Sequence, residues 1–258
     1  MLLEIFKDSI EYSYKDHKSI FKLSILLILS PFLIPLLLVS GYSYRITNIG
    51  LNGTINGDDP LPDFENLGHM LVEGIKLCIV RFIYLLPGII VFLALSVTVA
   101  LLTFSEAPYP STIFQSISFV LIELGIIALT ISLWIIFYLF STVAIPNMIN
   151  NNGSLISAFN FKEIISIIKS IGFVRYIRFY LGCIVLVIGI VGTMGIIISL
   201  LVASITFLIG LSGNIVASVI AVIILNLFSI IAFLLLISFF ITFESRAIAL
   251  IYNMRELD

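Results

Sequence analysis

At 258 residues, with 60% hydrophobic and only 11% charged side chains, the chain carries more apolar surface than a soluble fold of this size can bury. A net charge of −2 gives no basis for binding nucleic acid. The composition predicts an all-α integral membrane protein in one polytopic domain, with about five hydrophobic membrane helices and amphipathic interfacial helices on the cytoplasmic side.

Residues 1–18 form the first amphipathic stretch. Glu4, Lys7, Asp8, Glu11, Lys15 and Lys18 fall on one helical face, opposite Leu3, Ile5, Phe6 and Ile10. The first apolar run, 20–39, matches the roughly 20 residues that cross a ~30 Å hydrocarbon layer. It is too long for a signal h-region and has no small-x-small cleavage site, so it is expected to stay in the mature protein. It also holds Pro31 and Pro35, with Lys7, Lys15, Lys18 and Lys22 before it and Arg45, Lys76 and Arg81 after it. Both flanks satisfy the positive-inside rule only if the segment, broken at Ser30-Pro31 and Pro35, re-enters the side it came from. Its length equally fits a proline-kinked span, and both readings stand at this level.

Residues 41–76 read as a polar loop and a second interfacial helix. Asn66, His69, Glu73 and Lys76 share one face there, with Leu71, Ile75 and Ile79 on the other. Within the loop, GDDPLPDFE (57–65) holds four carboxylates, but the prolines after Asp59 and Leu61 keep it extended. Its spacing matches no calcium loop, and a solvated acidic turn is the expectation.

The second and third apolar runs, 78–104 and 113–145, form a membrane hairpin over a turn without Lys or Arg. Residues 147–178 form a basic loop holding a third amphipathic helix. There Lys162, Glu163, Ser166, Lys169 and Ser170 make a narrow polar stripe beside Phe161, Ile164, Ile165, Ile168 and Ile171. Asn160 and Glu163 have capping-box spacing and Gly172 can end the helix. Runs 181–209 and 215–243 form a second hairpin, and the tail 244–258 carries Arg246 and Arg255. The lysines and arginines place the basic loop and the tail in the cytoplasm of a plasma-membrane protein. Surface helix followed by hairpin recurs from near Leu2, Phe64 and Asn160, the outline of a weak internal repeat.

Chemistry-bearing residues are sparse. Glu123 lies about ten residues into the third run, near the bilayer centre, and marks a candidate intramembrane polar site with Asn226 at similar depth in the last run. A protonated carboxyl that hydrogen-bonds a neighbouring helix is the structural alternative. Gly195, Ser199 and Ala203, and Gly213, Ala217 and Ala221, repeat every fourth residue and predict a hairpin packed backbone to backbone. Cys78 and Cys183 read as packing residues. No metal or cofactor motif, phosphate loop or nucleophile–histidine pair occurs, so an enzyme is not expected.

Three strings carry a resemblance: GYSYR at 41–45, GDDPLPDFENLGHMLVEGIK at 57–76, and the proline of FIYLLPGIIV. Gly41, Tyr42, Arg45, Gly57, Leu61, Pro62, Asp63, Phe64, Gly74 and Pro87 follow the pattern of the domain of unknown function 4013 family, and SLISAFNFKEIISIIK resembles a later region of it. Residues 46–56 look like an insertion and read as a loop. The resemblance implies a membrane location and an archaeal or other prokaryotic source. It implies no activity.

Two functional readings remain. One is a non-enzymatic scaffold or lipid-interacting module whose partners are membrane lipids and a membrane or cytoplasmic protein. The other is a carrier or channel component for a small solute, lipid or ion, resting on Glu123, Asn226 and the broken first segment.

Overall fold

The computed structural model describes residues 1–105, 113–210 and 215–256. Every regular element among them is helical: α1 (Leu2–Tyr14), α2 (His17–Ile28), α3 (Leu33–Asn52), α4 (Leu67–Ser105), α5 (Ile113–Asn150), α6 (Leu155–Ala158), α7 (Phe161–Ile171), α8 (Phe173–Gly210) and α9 (Ile215–Asn253), then a short 3-10 turn. Four of these, α4, α5, α8 and α9, are long and apolar enough to cross a membrane. They have 38 or 39 residues each, which at ~1.5 Å per residue is roughly twice the ~20 residues that hydrocarbon requires.

The first apolar run takes the broken form. α2 stops at Ile28, residues 29–32 turn, and α3 starts at Leu33. Pro31 offers no amide hydrogen to continue α2. Pro35 falls in the first turn of α3, where the amides have no intrahelical acceptor and proline costs nothing. Asp16 fixes the start of α2, accepting from the amides of Lys18 at 3.0 Å and Ser19 at 3.2 Å.

The chain divides into two compact units: Met1–Ile75 with the chain from Ile165 onward, and Lys76–Ile164. In the first unit the C-terminal half of α9 is the central element, and α1, α2, α3 and α8 all pack on it. Hydroxyls mark the register. Ser24 Oγ lies 2.8 Å from Ser238 Oγ, Ser43 Oγ lies 2.6 Å from Ser245 Oγ, and Asn253 Nδ2 donates to the carbonyls of Gly50 and Leu51. The α3 pairs rise together in number, so α3 runs parallel to α9, and α2, which packs on α3 across the four-residue turn, returns against it. The two form an antiparallel helical hairpin around Leu23, Leu38, Val39, Tyr42 and Ile46. In the second unit Tyr84 of α4 donates to the carbonyl of Ala158 at 2.7 Å and meets Phe137, Phe159 and Phe161. Trp134 of α5 lies so close to Gly88 that a Cβ there would meet its ring at 2.3 Å.

Several local expectations need correction. Residues 41–52 are not loop: α3 runs through GYSYR to Asn52, because Tyr42, Ser43, Ile46, Thr47 and Gly50 all face the packed interior. The expected second surface helix is the beginning of α4, continuous with its span, and its buried stripe is Met70, Gly74, Leu77 and Val80. α1 turns Ile5, Asp8, Ser9, Tyr12 and Ser13 inward, so Asp8 is not on the solvent face. α7 has the expected cap, the Glu163 amide donating to Asn160 Oδ1 at 3.4 Å and Asn160 Nδ2 donating to Glu163 Oε2 at 2.9 Å, and it ends at Gly172 with φ +90°. Of its apolar face, Ile164, Ile168 and Ile171 are buried by protein, while Phe161 and Ile165 are exposed at 46% and 41%.

Candidate functional site

Ten motif positions were singled out by resemblance, and eight of them meet around the hairpin. Gly41 and Gly74 form the crossing of α3 with α4. A Cβ on Gly41 would lie 2.0 Å from the Met70 carbonyl oxygen, and one on Gly74 would lie 1.9 Å from that of Leu37. No side chain fits, so the two backbones touch. One turn further along α3, Arg45 clasps the start of α4. Its Nε donates to Glu73 Oε2 at 2.9 Å, and its Nη1 donates to the carbonyls of Asp63 and Glu65 at 2.9 and 2.8 Å. These bonds take up carbonyls of the extended stretch that precedes α4 and fix the angle at which the chain enters it. Tyr42 stacks on Phe64 with ring centroids 4.5 Å apart, Leu61 packs on the same cluster, and Pro62 is buried. Gly57 closes the turn before Asp58, its amide donating to the Thr54 carbonyl at 3.0 Å. Pro87 stands apart, half-buried inside α4, which runs on without a break.

Above the hairpin lies a charge network that the sequence did not disclose. Arg246 of α9 is fully buried, its Nε donating to Asp8 Oδ2 at 2.9 Å and its Nη2 lying 2.8 Å from Asp59 Oδ2. Its guanidinium also sits 4.8 Å over the Tyr12 ring. Asp8 accepts a further bond from the Asn56 amide at 2.6 Å. A Cβ on Gly53 would lie 2.2 Å from Asp59 Oδ2, so glycine makes room for the network. The acidic stretch is thus only partly the solvated turn expected. Asp58 is exposed and paired with Lys15, whose hydrogen bond holds its carboxyl below the ordinary range, while Asp59 turns inward. The phenol of Tyr12 donates to the Pro60 carbonyl at 3.0 Å, and burial pushes its pKa well above the usual value.

The opposite end of the hairpin is bare. Ile28, Leu29, Phe32, Leu33 and Ile34 at the tip are all exposed, Phe32 by 69% and Leu33 by 70%. Ser24 is level with Ser238, and Ile28 lies four residues, about 6 Å, further along α2. On α9 the same direction leads from the packed residues after Ser238 into the exposed apolar stretch Leu227–Phe233, where Phe228, Ile230 and Ile231 are open. The hairpin thus has charged residues at one end and a turn of Leu29, Ser30, Pro31 and Phe32 at the other, apolar except for Ser30. Its two flanks, with Lys15 and Lys18 on one leg and Arg45 on the other, end on the same side, the side of the C-terminal turn.

The intramembrane candidates are placed separately. Glu123 is exposed on α5 and lines a cleft of about 400 Å³ with Phe92, Ser96, Val99, Ala100, Ile126 and Ile127. Asn226 is exposed on α9, its side chain donating to the Val222 carbonyl of its own helix at 2.8 Å. Gly195, Ser199 and Ala203 are exposed, and a Cβ on Gly195 would meet nothing within 4 Å. That stripe therefore does not hold α8 to α9. From residue 191 onward the more covered residues of α8 include Met194, Ile198, Val202 and Thr206, half-buried on one face of the same helix. Ala221 is half-buried, while Gly213 and the side chain of Ala217 lie outside the described residues. Small-residue packing occurs instead where α3 meets α9, with Gly50 against Ala249 and Ser43 against Ser245.

Comparison with known families supplies one match. The family described as Protein of unknown function (DUF4013) matches residues 23–203, which take in the second half of α2, all of α3, all the motif positions and most of α8. No curated protein and no solved structure matches the chain.

Proposed function

We propose that this chain, which belongs to the DUF4013 family, is a non-enzymatic, lipid-interacting membrane module that inserts a helical hairpin into one leaflet. The observation that carries this is the hairpin's polarity. Its tip exposes Ile28, Leu29, Phe32, Leu33 and Ile34, with Ser30 half-buried among them, while its legs are tied to α9 by Ser24–Ser238 and Ser43–Ser245 and to α4 by Arg45–Glu73. Non-helical backbone is tolerated deep in hydrocarbon only where protein covers it, so an exposed turn such as this one, with no side-chain cap on α3, belongs at a shallow depth near the headgroups. The motif residues support the reading, because Arg45, Glu73, Gly41 and Gly74 are all used in holding the hairpin against α4. By the positive-inside rule the termini face the cytoplasm at the plasma membrane, where the polar loops would also meet a protein partner.

The carrier reading rests chiefly on the Glu123 cleft, along with the break between α2 and α3. Native mass spectrometry on protein released gently from its own membrane separates the two. A membrane module retains lipids or a partner protein only. A non-lipid solute bound at fixed stoichiometry, and lost on Glu123→Gln, would overturn the proposal in favour of transport.

A further inference from the structure

The helix α7 carries a graded surface. Successive residues are rotated by roughly 100°, so side-chain types can be followed in order around the axis. Ile164, Ile167, Ile168 and Ile171 form the buried stripe, and Phe161 and Ile165, both exposed, border it on one side. Lys169 and Lys162 come next, within roughly 20° of one another, followed by Ser166 and Ser170, all four exposed. Glu163, half-buried and bonded to Asn160, closes the circle on the other border of the stripe. Among the described residues neither Lys162 nor Lys169 takes part in an ion pair, whereas Lys7, Lys15, Arg45 and Arg246 all do.

The ring contacts of Phe161 set the level of this surface. Its centroid is 5.8 Å from that of Tyr84 on α4 and 6.2 Å from that of Phe140 on α5. Both partners stand at the margin of an apolar run. On α4 no charged residue occurs from Phe82 to Ser105, and Arg81, which is exposed, precedes Tyr84 by three residues, about 4.5 Å. On α5 Tyr138 is the last exposed residue before a buried stretch from Ser141 to Ile149. The start of α7 therefore lies at the hydrocarbon edge, where lipid phosphates begin. An interfacial helix turns its apolar edge to the acyl chains, and its lysine stems reach along that edge to hold their ammoniums among the phosphates. Phe161, Ile165 and the two lysines follow that order, and the serines and Glu163 are left to water. A zwitterionic headgroup brings a cation of its own to this lysine pair, so an anionic one is the better match.

We propose that α7 rests on the headgroup layer and recruits anionic phospholipids, their phosphates on Lys162 and Lys169 and their chains against Phe161 and Ile165. The lipid-interacting reading thereby gains a lipid class and a second surface. Only α4 and α5 need cross the membrane for this, so it fails separately from the hairpin.

The test follows lipid contact at α7 itself, in the full chain reconstituted in liposomes. Trp134→Phe removes the chain's single tryptophan, and Ile165→Trp places one at the apolar edge of α7. Should Trp134→Phe not fold, the signal is read as the difference between Ile165→Trp and the parent. Lipids brominated near the headgroup end of the chain should quench this fluorescence. At equal mole fraction, brominated phosphatidylglycerol should associate more strongly than brominated phosphatidylcholine, by up to about fivefold for each lysine engaged, and K162Q/K169Q should bring the ratio close to one. Lys7→Gln, on α1 and paired with Glu11, should leave the ratio unchanged. Fluorescence that brominated lipid does not quench would mean that α7 meets water or a protein partner, and would overturn the proposal. Equal association of the two lipids, or a preference that persists in K162Q/K169Q, would overturn it as well.

Discussion

Replacing Arg246 by methionine isolates the network that ties both ends of the chain to the loop over the hairpin. The methionine fills most of the side-chain volume but leaves Asp8 and Asp59 without their cation. Asp8 is only 4% exposed and keeps a single bond, from the Asn56 amide. Breaking a buried ion pair from one side costs about 3–5 kcal/mol. For a chain of this length that corresponds to a fall in Tm of roughly 6–20 °C. The variant with both acids also neutralised, R246M/D8N/D59N, should recover most of the loss, because the uncompensated charges are what is costly and not the missing attraction. The assay is thermal unfolding of the purified protein in detergent, followed by circular dichroism, with limited proteolysis of residues 53–66 as a local readout. An R246M protein within about 1 kcal/mol of the parent would refute the reasoning, since a loss that small is typical of an exposed pair.

The glycines offer a contrast of sign. Gly74→Ala should destabilise by about 1–3 kcal/mol, because its Cβ would meet the Leu37 carbonyl at 1.9 Å, whereas Gly195→Ala should be neutral or slightly stabilising, with nothing within 4 Å. Thermal shifts of the two variants check both. Asp16→Ala should cost about 1 kcal/mol through loss of the α2 cap. In the parent, the Ser19 hydroxyl, then the Lys18 and Ser19 amides, lower the Asp16 pKa from 3.8. Its stabilisation is therefore complete above that ordinary value and disappears as pH falls through the lowered one, which a comparison of parent and variant unfolding across acid pH will register. Glu123→Gln should insert and fold as the parent does; complete loss of membrane-inserted protein would show that the carboxyl holds helices together.

The long apolar runs and the paired prolines were legible because hydrocarbon imposes a minimum length and proline removes an amide whatever surrounds it. Whether the first run spans or turns back was not. That depends on Ser24 and Ser43 finding Ser238 and Ser245 more than 200 residues away, and no local period encodes such pairs. The network was hidden for a related reason. Asp8 reads as part of a solvent face with Glu4, Lys7 and Glu11, and only Arg246 arriving from the far end of the chain gives it a buried partner. The extension of α3 through Asn52 was missed because Ser43, Thr47 and Gly50 look like loop residues, whereas each is small enough to let α9 approach. Resemblance did locate Gly41, Arg45 and Gly74, and the structure supplies their physical reason, a backbone contact and a clasp. The α8 stripe misled for the opposite reason: small residues permit close packing, but on α8 a different face is the covered one.

The central claim is that residues 28–34 form a turn within one leaflet. Single cysteines at Ile28, Phe32 and Leu33, labelled with a bilayer-sensitive fluorophore in the reconstituted protein, can be quenched by lipids brominated at graded depths. The account requires maximal quenching at a shallow depth for all three, with the N- and C-terminal tags accessible from one and the same side. Quenching strongest at the bilayer centre, or termini on opposite sides, would mean that the first apolar run crosses the membrane, and the hairpin module would be wrong.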